Sequence, residues 1–380
     1  MLRSILFCGF IVIGGCVHTE ERPQSRPTDA TLDNRGVYTE EIDATSTPET
    51  LRHAFAHLQP WSFDSRYFLT LDLNTEHAHA LRTDGLRTAV ELPNRGHRWI
   101  GDSHQILMMH EDTKRGAVLF RYDLTGQGPL QPLELGHPGI RVSRSFRETS
   151  RDGQWVAVYI DRGVDGPPRI LTVDLDASEV VVDRPVTAFG CSQEPRWVGV
   201  DPDGTYLMVQ SRVNGYTPCE GLWAYDIETG DPVRQITPHT QEGSFGVDYM
   251  GYPYFLSTEV PSEMEGLLQV PTRYWLDGRP NEQLGKALPV GSVQHLSCVG
   301  DDGSPCLISA GIHASGAYEG QLWWLHDDGR HDIVGPHHAG GCHIWADAQG
   351  VVGPNGQYAY ATHNGGCRQI HSKLVPEPEQ

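Results

Sequence analysis

Between about residue 60 and residue 375 one unit recurs, and its spacing constrains the fold more than any other feature. A turn containing Asp, Asn or Gly leads into an apolar strand. A loop, a third strand ending near Asp, a second turn and a fourth strand follow. The fullest copy runs from Asp201 to Thr237, with Asp203-Gly204 turning into Tyr206-Leu207-Met208-Val209, then Leu222-Trp223-Ala224-Tyr225-Asp226, Thr229-Gly230-Asp231 and Val233 to Ile236. Its first turn aligns with Asp64-Ser65, Asp102-Ser103, Asp152-Gly153, Tyr249-Met250-Gly251, Asp302-Gly303 and Asn355-Gly356, which makes seven copies at steps of 38 to 53 residues. A four-stranded antiparallel sheet has two faces to bury and cannot cover both alone. Packing seven of them around an axis covers each against its neighbours, so the period predicts an all-β, seven-bladed β-propeller over residues 51–375. The last copy supplies only three strands. The fourth is expected from upstream, and Val37-Tyr38-Thr39-Glu40-Glu41-Ile42 alternates well enough to serve, protecting a sheet edge and joining the chain ends.

The chain opens with Arg3, an apolar run from Ile5 to Ile13 that is too short to span a bilayer, and Gly14-Gly15-Cys16. Ile13-Gly14-Gly15-Cys16 resembles a bacterial lipobox, which implies a signal peptide over 1–15 and a lipid-modified Cys16. Residues 16–50 then read as a polar tether, and 376–380 as a tail. The expected location is the bacterial cell envelope, at the outer membrane, with the chain exported and monomeric. A net charge of −20 repels nucleic-acid phosphate and anionic headgroups, so no nucleic-acid partner is expected and the lipid on Cys16 is the only membrane contact.

In a propeller, turns between first and second strands lie on one face, here the bottom; loops leading into blades and loops between second and third strands lie on the other, the top. Six cysteines remain in the exported chain, and an even number in an oxidising compartment points to disulfides. Cys191 and Cys219 flank Gly204 as Cys342 and Cys367 flank Gly356, which favours those two pairs on the top face. Cys298 and Cys306 flank the bottom turn at Asp302 and form the third expected pair. Histidines gather on the top by the same rule: His77, His79, His110, His295, His313, His343 and His363, with His337 and His338 in the loop leading into the last blade. First strands line the axis, so His295 and His343, with His313 and His363 reaching inward, are the candidate ligands for one divalent metal, Mn, Zn or Ca. Arg147, Arg196, Trp197, His338 and Trp345 are the candidate contacts for a top-face partner. Arg141, Arg144 and Arg151 are grouped with Arg147 in one basic segment.

Pro202-Asp203-Gly204, Tyr225-Asp226-Ile227-Glu228-Thr229-Gly230 and Val352-Gly353-Pro354-Asn355-Gly356-Gln357-Tyr358 resemble the repeats of exported TolB-like, or WD40-like (PD40), propellers, a resemblance that covers about residues 60 to 375 and implies the architecture more than a function. Val293-Gln294-His295-Leu296-Ser297 with Asp302-Gly303-Ser304, followed by His337, His338 and His343, resembles the metal region of oligogalacturonate lyases. Those are seven-bladed propellers as well. That resemblance implies a metal held in part by His295, although no Gln precedes His338 at the family's distance, and the segment Cys191 to Trp197 lacks the family's catalytic His. There is no Gly-x-Ser-x-Gly, no His-Glu-x-x-His and no phosphate-cradling Gly-rich loop. The residues therefore favour a binding or scaffolding lipoprotein holding a protein or glycan on its top face, and no catalytic residue is assigned. The alternative is a metal-dependent polysaccharide lyase or a related carbohydrate-active enzyme.

Overall fold

The computed structural model describes residues 44–376 except 49, 54–57, 76, 93–96, 113, 127, 139–148, 162, 165, 192–194, 212–219, 239–241, 260–267, 313, 315, 340–347 and 364–369. Their strands pair into seven antiparallel sheets that follow one another along the chain. Blade 1 is Leu51–Arg52, Tyr67–Asp72, Ala78–Arg82 and Arg87–Leu92. Blade 2 is His97–Trp99, Gln105–Asp112 and Gly116–Asp123, with Gly128–Pro129 and Leu133–Glu134 both paired to the third strand. Blade 3 is Trp155–Ile160, Arg169–Asp174 and Glu179–Pro185, with Thr149 bridged to Val156 on the inner side of Trp155–Ile160. Blade 4 is Pro195–Val200, Tyr206–Ser211, Leu222–Asp226 and Pro232–Thr237; blade 5 is Ser244–Val247, Pro253–Glu259, Leu268–Trp275 and Glu282–Gln283. Blade 6 is His295–Ser297, Cys306–Ser309, Gln321–Leu325 and His331–Pro336. Blade 7 is Val351–Val352, Tyr358–His363, Ile370–Val375 and, outermost, Thr45–Ser46.

The turn residues that make the repeat legible do physical work in each hairpin. Asp226 Oδ1 accepts the backbone N–H groups of Glu228 and Thr229 at 3.1 and 2.8 Å, and Asp174 does the same for Asp176 and Ala177. At the bottom, Asp201 Oδ1 accepts the Tyr206 N–H at 2.7 Å, while Gly204 supplies the positive φ that the turn needs.

Neighbouring sheets bury their faces against each other. Among the described residues, seven apolar clusters each span one pair of adjacent blades. Trp155, Tyr159, Val198 and Leu207 pack between blades 3 and 4; Tyr254, Leu296, Ile308 and Trp323 pack between blades 5 and 6. The seventh cluster, Trp61 and Phe68 against Val351 and Ala359, joins blade 1 to blade 7 and is the smallest.

Closure there relies on polar contacts. Thr45 and Ser46 pair with Leu374 and Lys373, inside the stretch that reads as tether from sequence, whereas Val37–Ile42 lies outside the described residues. Two polar residues with no apolar alternation carry no strand signal, which is why sequence points elsewhere. The Thr47 N–H donates to Ser372 O at 2.8 Å, and the Ser372 N–H donates to Thr47 Oγ1 at 3.0 Å. Ser372 Oγ accepts the His53 N–H at 2.8 Å and donates to His53 Nδ1, while His53 Nε2–H donates to Gln349 O at 2.7 Å. Arg52, with no exposed surface, donates from Nε to His53 O and from Nη2 to Gln349 Oε1.

Bottom turns are bonded laterally around the ring. The Asp102 N–H donates to Arg151 O, Arg151 N–H to Pro202 O and Gly303 N–H to Val247 O, while Gln357 Nε2 reaches Ser65 Oγ across the closure. Arg151 belongs to this face and not to the top, because the chain has already passed the Thr149 bridge; its guanidinium crosses from blade 3 to pair with Asp302 of blade 6 at 2.7 Å. A cavity of about 210 Å³ lies in the bottom mouth, walled by Trp61, Arg98, Trp99, Arg151 and Asp302. Gly101 (φ +47°) shows how tight the ring of turns is: a Cβ there would stand 2.4 Å from Arg151 O and 2.5 Å from Gly153 N. Gly101→Ala is therefore expected to lower stability by about 2 kcal/mol or more, read as a lower urea midpoint. An unchanged midpoint would show that adjacent turns can slide apart freely.

Candidate functional site

Three blades bring one polar cluster to the top of the axis. Arg196 is the second residue of the first strand of blade 4, Glu242 lies two residues before that of blade 5, and His295 opens that of blade 6. They stand eight, nine and eight residues before the bottom-turn positions 204, 251 and 303, so the repeat itself stacks them at one height. Arg196 Nη2 donates to Glu242 Oε1 at 3.3 Å, and His295 Nδ1–H donates to Glu242 Oε2 at 3.0 Å. One carboxylate thus links a guanidinium on one side to an imidazole on the other.

The chain around Glu242 is fixed before any ligand arrives. Ser257 Oγ donates to Glu242 O at 2.8 Å, and at Gly243 an added Cβ would stand 2.2 Å from the Phe255 ring and 2.5 Å from Leu256 O. Only glycine permits that approach. Arg196 and Glu242 remain half-exposed while His295 is buried, so the carboxylate and guanidinium edges face the mouth. Trp197 is 3 % exposed and packs in the core between blades 4 and 5. It lies 5.5 Å beneath the Arg196 guanidinium and acts as wall, not as an exposed contact; the strand pairing shifts register between Pro195 and Trp197, which leaves Arg196 without a paired partner residue at that point.

Of the four candidate metal ligands, His295 alone has a described side chain. His313 and His343 lie outside the described residues, and for His363 only the backbone, paired with Ile370, is described. Among the described residues no three metal-capable side chains converge. His338 is exposed at φ +52°, while its neighbour His337 is buried and holds the loop in place, Nε2–H donating to Ala310 O at 2.9 Å and Nδ1 accepting the Ala339 N–H at 3.0 Å. His77 pairs with Glu91 on blade 1, away from the cluster. Arg147, Trp345, Cys16, Cys219, Cys342 and Cys367 lie outside the described residues. The Cys298–Cys306 disulfide is present across the hairpin, and Cys191 is disulfide-bonded with its partner outside the described residues.

Glu242 escapes the sequence reading because a lone acidic residue in a loop signals nothing by itself. Aligning the seven copies at eight or nine residues before each bottom turn is the signal that finds it.

No protein-family model matches the chain, and no curated protein matches it in sequence. Solved structures do resemble it. An oligogalacturonate lyase from Vibrio parahaemolyticus aligns with a TM-score of 0.61 at 13% identity, over 88% of this chain and 93% of that one. A second oligogalacturonate lyase, solved in complex with manganese, aligns with a TM-score of 0.62 at 14% identity, over 89% and 96%. At such identity the likeness is one of fold: a β-propeller similar to those of oligogalacturonate lyases along nearly its whole length.

Proposed function

We propose that the chain is a lipid-anchored envelope propeller, exported and attached through Cys16 at the outer membrane, that works as a monomer and binds a hydroxyl-rich glycan at its top mouth. The observation that carries this is the Arg196–Glu242–His295 cluster. A carboxylate acceptor beside guanidinium and imidazole donors complements adjacent sugar hydroxyls, each of which both donates and accepts. A protein partner would instead want exposed aromatic or large apolar anchors at the mouth. Among the described residues the top offers only Val164 and Val290, on separate blades.

Soluble protein titrated against a panel of neutral and acidic oligosaccharides should bind one class, and Arg196→Ala or Glu242→Gln should each weaken that binding about tenfold or more, or about 1.4 kcal/mol. Failure to bind any glycan, together with recovery of a stoichiometric protein partner from envelope extract, would replace this reading by protein scaffolding.

A second reading, a metal-dependent lyase of the oligogalacturonate type, has one supporting feature. A carboxylate on His295 Nδ1 is the arrangement that orients a metal-binding imidazole and fixes its tautomer. A divalent ion bound there would polarise a uronate carboxylate; the residues in place contribute an oriented imidazole and a neighbouring guanidinium, and no base for proton abstraction is assigned. Stoichiometric Mn, Zn or Ca lost in His295→Ala, with release of unsaturated uronide from polygalacturonate, would establish it. A metal-free protein inert toward that polymer would remove it.

A further inference from the structure

The two faces of the ring differ in one respect that the binding reading does not use. Six of the seven bottom turns carry Asp or Asn followed by Ser or Gly, whereas the turn of blade 5 reads Tyr249-Met250-Gly251-Tyr252. Tyr249 is 76% exposed, Met250 62% and Tyr252 42%, although such side chains elsewhere in the chain fill the clusters between blades. The tip is held firmly. Asp248 Oδ1 accepts the N–H groups of Met250 and Tyr252 at 2.9 and 2.8 Å, and the Gly251 N–H donates to Asp248 O. The Arg279 guanidinium stacks 4.1 Å from the Tyr252 ring and 4.4 Å from Trp275 while its Nε donates to Asp277 Oδ2 at 2.8 Å, so a closed ion pair flanks the apolar tip. On the same face, in the bottom turn of blade 1, Phe63 is also exposed.

The register of the closing strand says which way this face points. Tyr358 follows the bottom turn of blade 7 and pairs with Val375, so the strand Ile370–Val375 runs from top to bottom. Thr45 lies opposite Leu374 and Ser46 opposite Lys373, so Thr45–Ser46 climbs from bottom to top. Thr45 therefore stands at the bottom of the ring, on blade 7, between the exposed tips of blades 5 and 1.

We propose that the bottom face lies against the membrane and that Tyr249, Met250 and Tyr252 dock into the headgroup region of a zwitterionic lipid surface, leaving the top mouth directed away from it. The inference rests on the lipid-anchored reading of Cys16. Tyrosine suits the interface, where an apolar ring and a hydroxyl meet a layer that is itself half wet. The net charge of −20 and the carboxylates of the other bottom turns exclude an anionic surface, which selects zwitterionic lipid as the occupant.

The test places a photoreactive benzoylphenylalanine at residue 250, or at exposed Val164 on the top as a control, in the full chain reconstituted into phosphatidylethanolamine–phosphatidylcholine vesicles. Irradiation should yield lipid adducts at residue 250 at about ten times the level at residue 164, and Tyr249→Ser with Tyr252→Ser should reduce them. Adducts equal at the two positions, or absent at residue 250, overturn the inference, as does a protein adduct there in envelope membranes. The mass of the same sample reports whether Cys16 is acylated. Acylation without adducts at residue 250 rejects the docked face alone, adducts without acylation reject only the anchor, and absence of both rejects the two together.

Discussion

Stability should fall steadily as the pH is lowered from about 6.5 to 4, because two buried imidazoles stay neutral in the fold and become charged only when it opens. Burial pushes His53 down to about 3, with the nearby Arg52 charge acting in the same direction and the hydrogen bond to the Gln349 carbonyl opposing it. Burial likewise pushes His97 down to about 3, helped by Arg98 and His77; His97 is 5% exposed, and among the described residues neither of its ring nitrogens has a hydrogen-bond partner. Between pH 6.5 and 3 the unfolded chain binds two protons at these positions that the folded chain does not, so their stabilisation is complete above pH 6.5 and is lost as the pH falls. Asp201 works the other way. Burial and the neighbouring Asp203 raise it to about 6, so between pH 6 and about 4 the folded chain holds one proton that the unfolded chain has released. Two against one leaves a net loss of about 1.4 kcal/mol per pH unit in that window, or about 3 kcal/mol in all, a large share of the usual margin. Urea midpoints measured from pH 8 to pH 4 check the slope. His97→Leu fills a similar space without titrating and should flatten the curve between pH 6 and 4; a variant as acid-sensitive as the parent would refute a neutral His97.

Arg52→Ala should be among the most destabilising single changes in the chain, at about 3–5 kcal/mol. Arg52 is fully buried where the first blade meets the last, and its guanidinium ties the His53 carbonyl to the Gln349 side chain across the closure. Truncation opens a cavity and leaves buried acceptors without donors, at the interface with the smallest apolar cluster. Arg52→Met separates the two effects. It refills most of the volume without the hydrogen bonds, so it should recover part of the loss and still leave about 2 kcal/mol. Denaturation midpoints of both variants, with limited proteolysis around residues 45–53, give the comparison. An Arg52→Ala protein within about 1 kcal/mol of the parent would mean that closure does not depend on the buried guanidinium.

The architecture was legible because its grammar is local. Asp226 and Asp174 bond their own turns, Gly204 takes the conformation that other residues resist, and the strands between them alternate by burial, so each copy announces itself within a few tens of residues. The Cys298–Cys306 bridge was legible on the same grounds, as two cysteines placed symmetrically about one hairpin turn. What escaped was whatever depends on distant partners. Thr45–Ser46 is a strand only because Lys373 and Leu374 lie beside it, and the Arg52 guanidinium bonds Gln349, 297 residues further along. Glu242 gains meaning from Arg196 and His295, 46 and 53 residues away.

Sealing the last sheet with Thr45–Ser46 also dictates an order of assembly. Most strand pairs join neighbours along the chain and can form early at little entropic expense, but Thr45 finds Leu374 only after the strands of all seven blades have been made. A nascent chain therefore carries its future sealing strand unpaired throughout synthesis, with the exposed edge it must cover still to come. A polypeptide that crosses a membrane before folding would complete this circle only on the far side, and interrupting it anywhere upstream of Ile370–Val375 would leave an open arc in place of a ring.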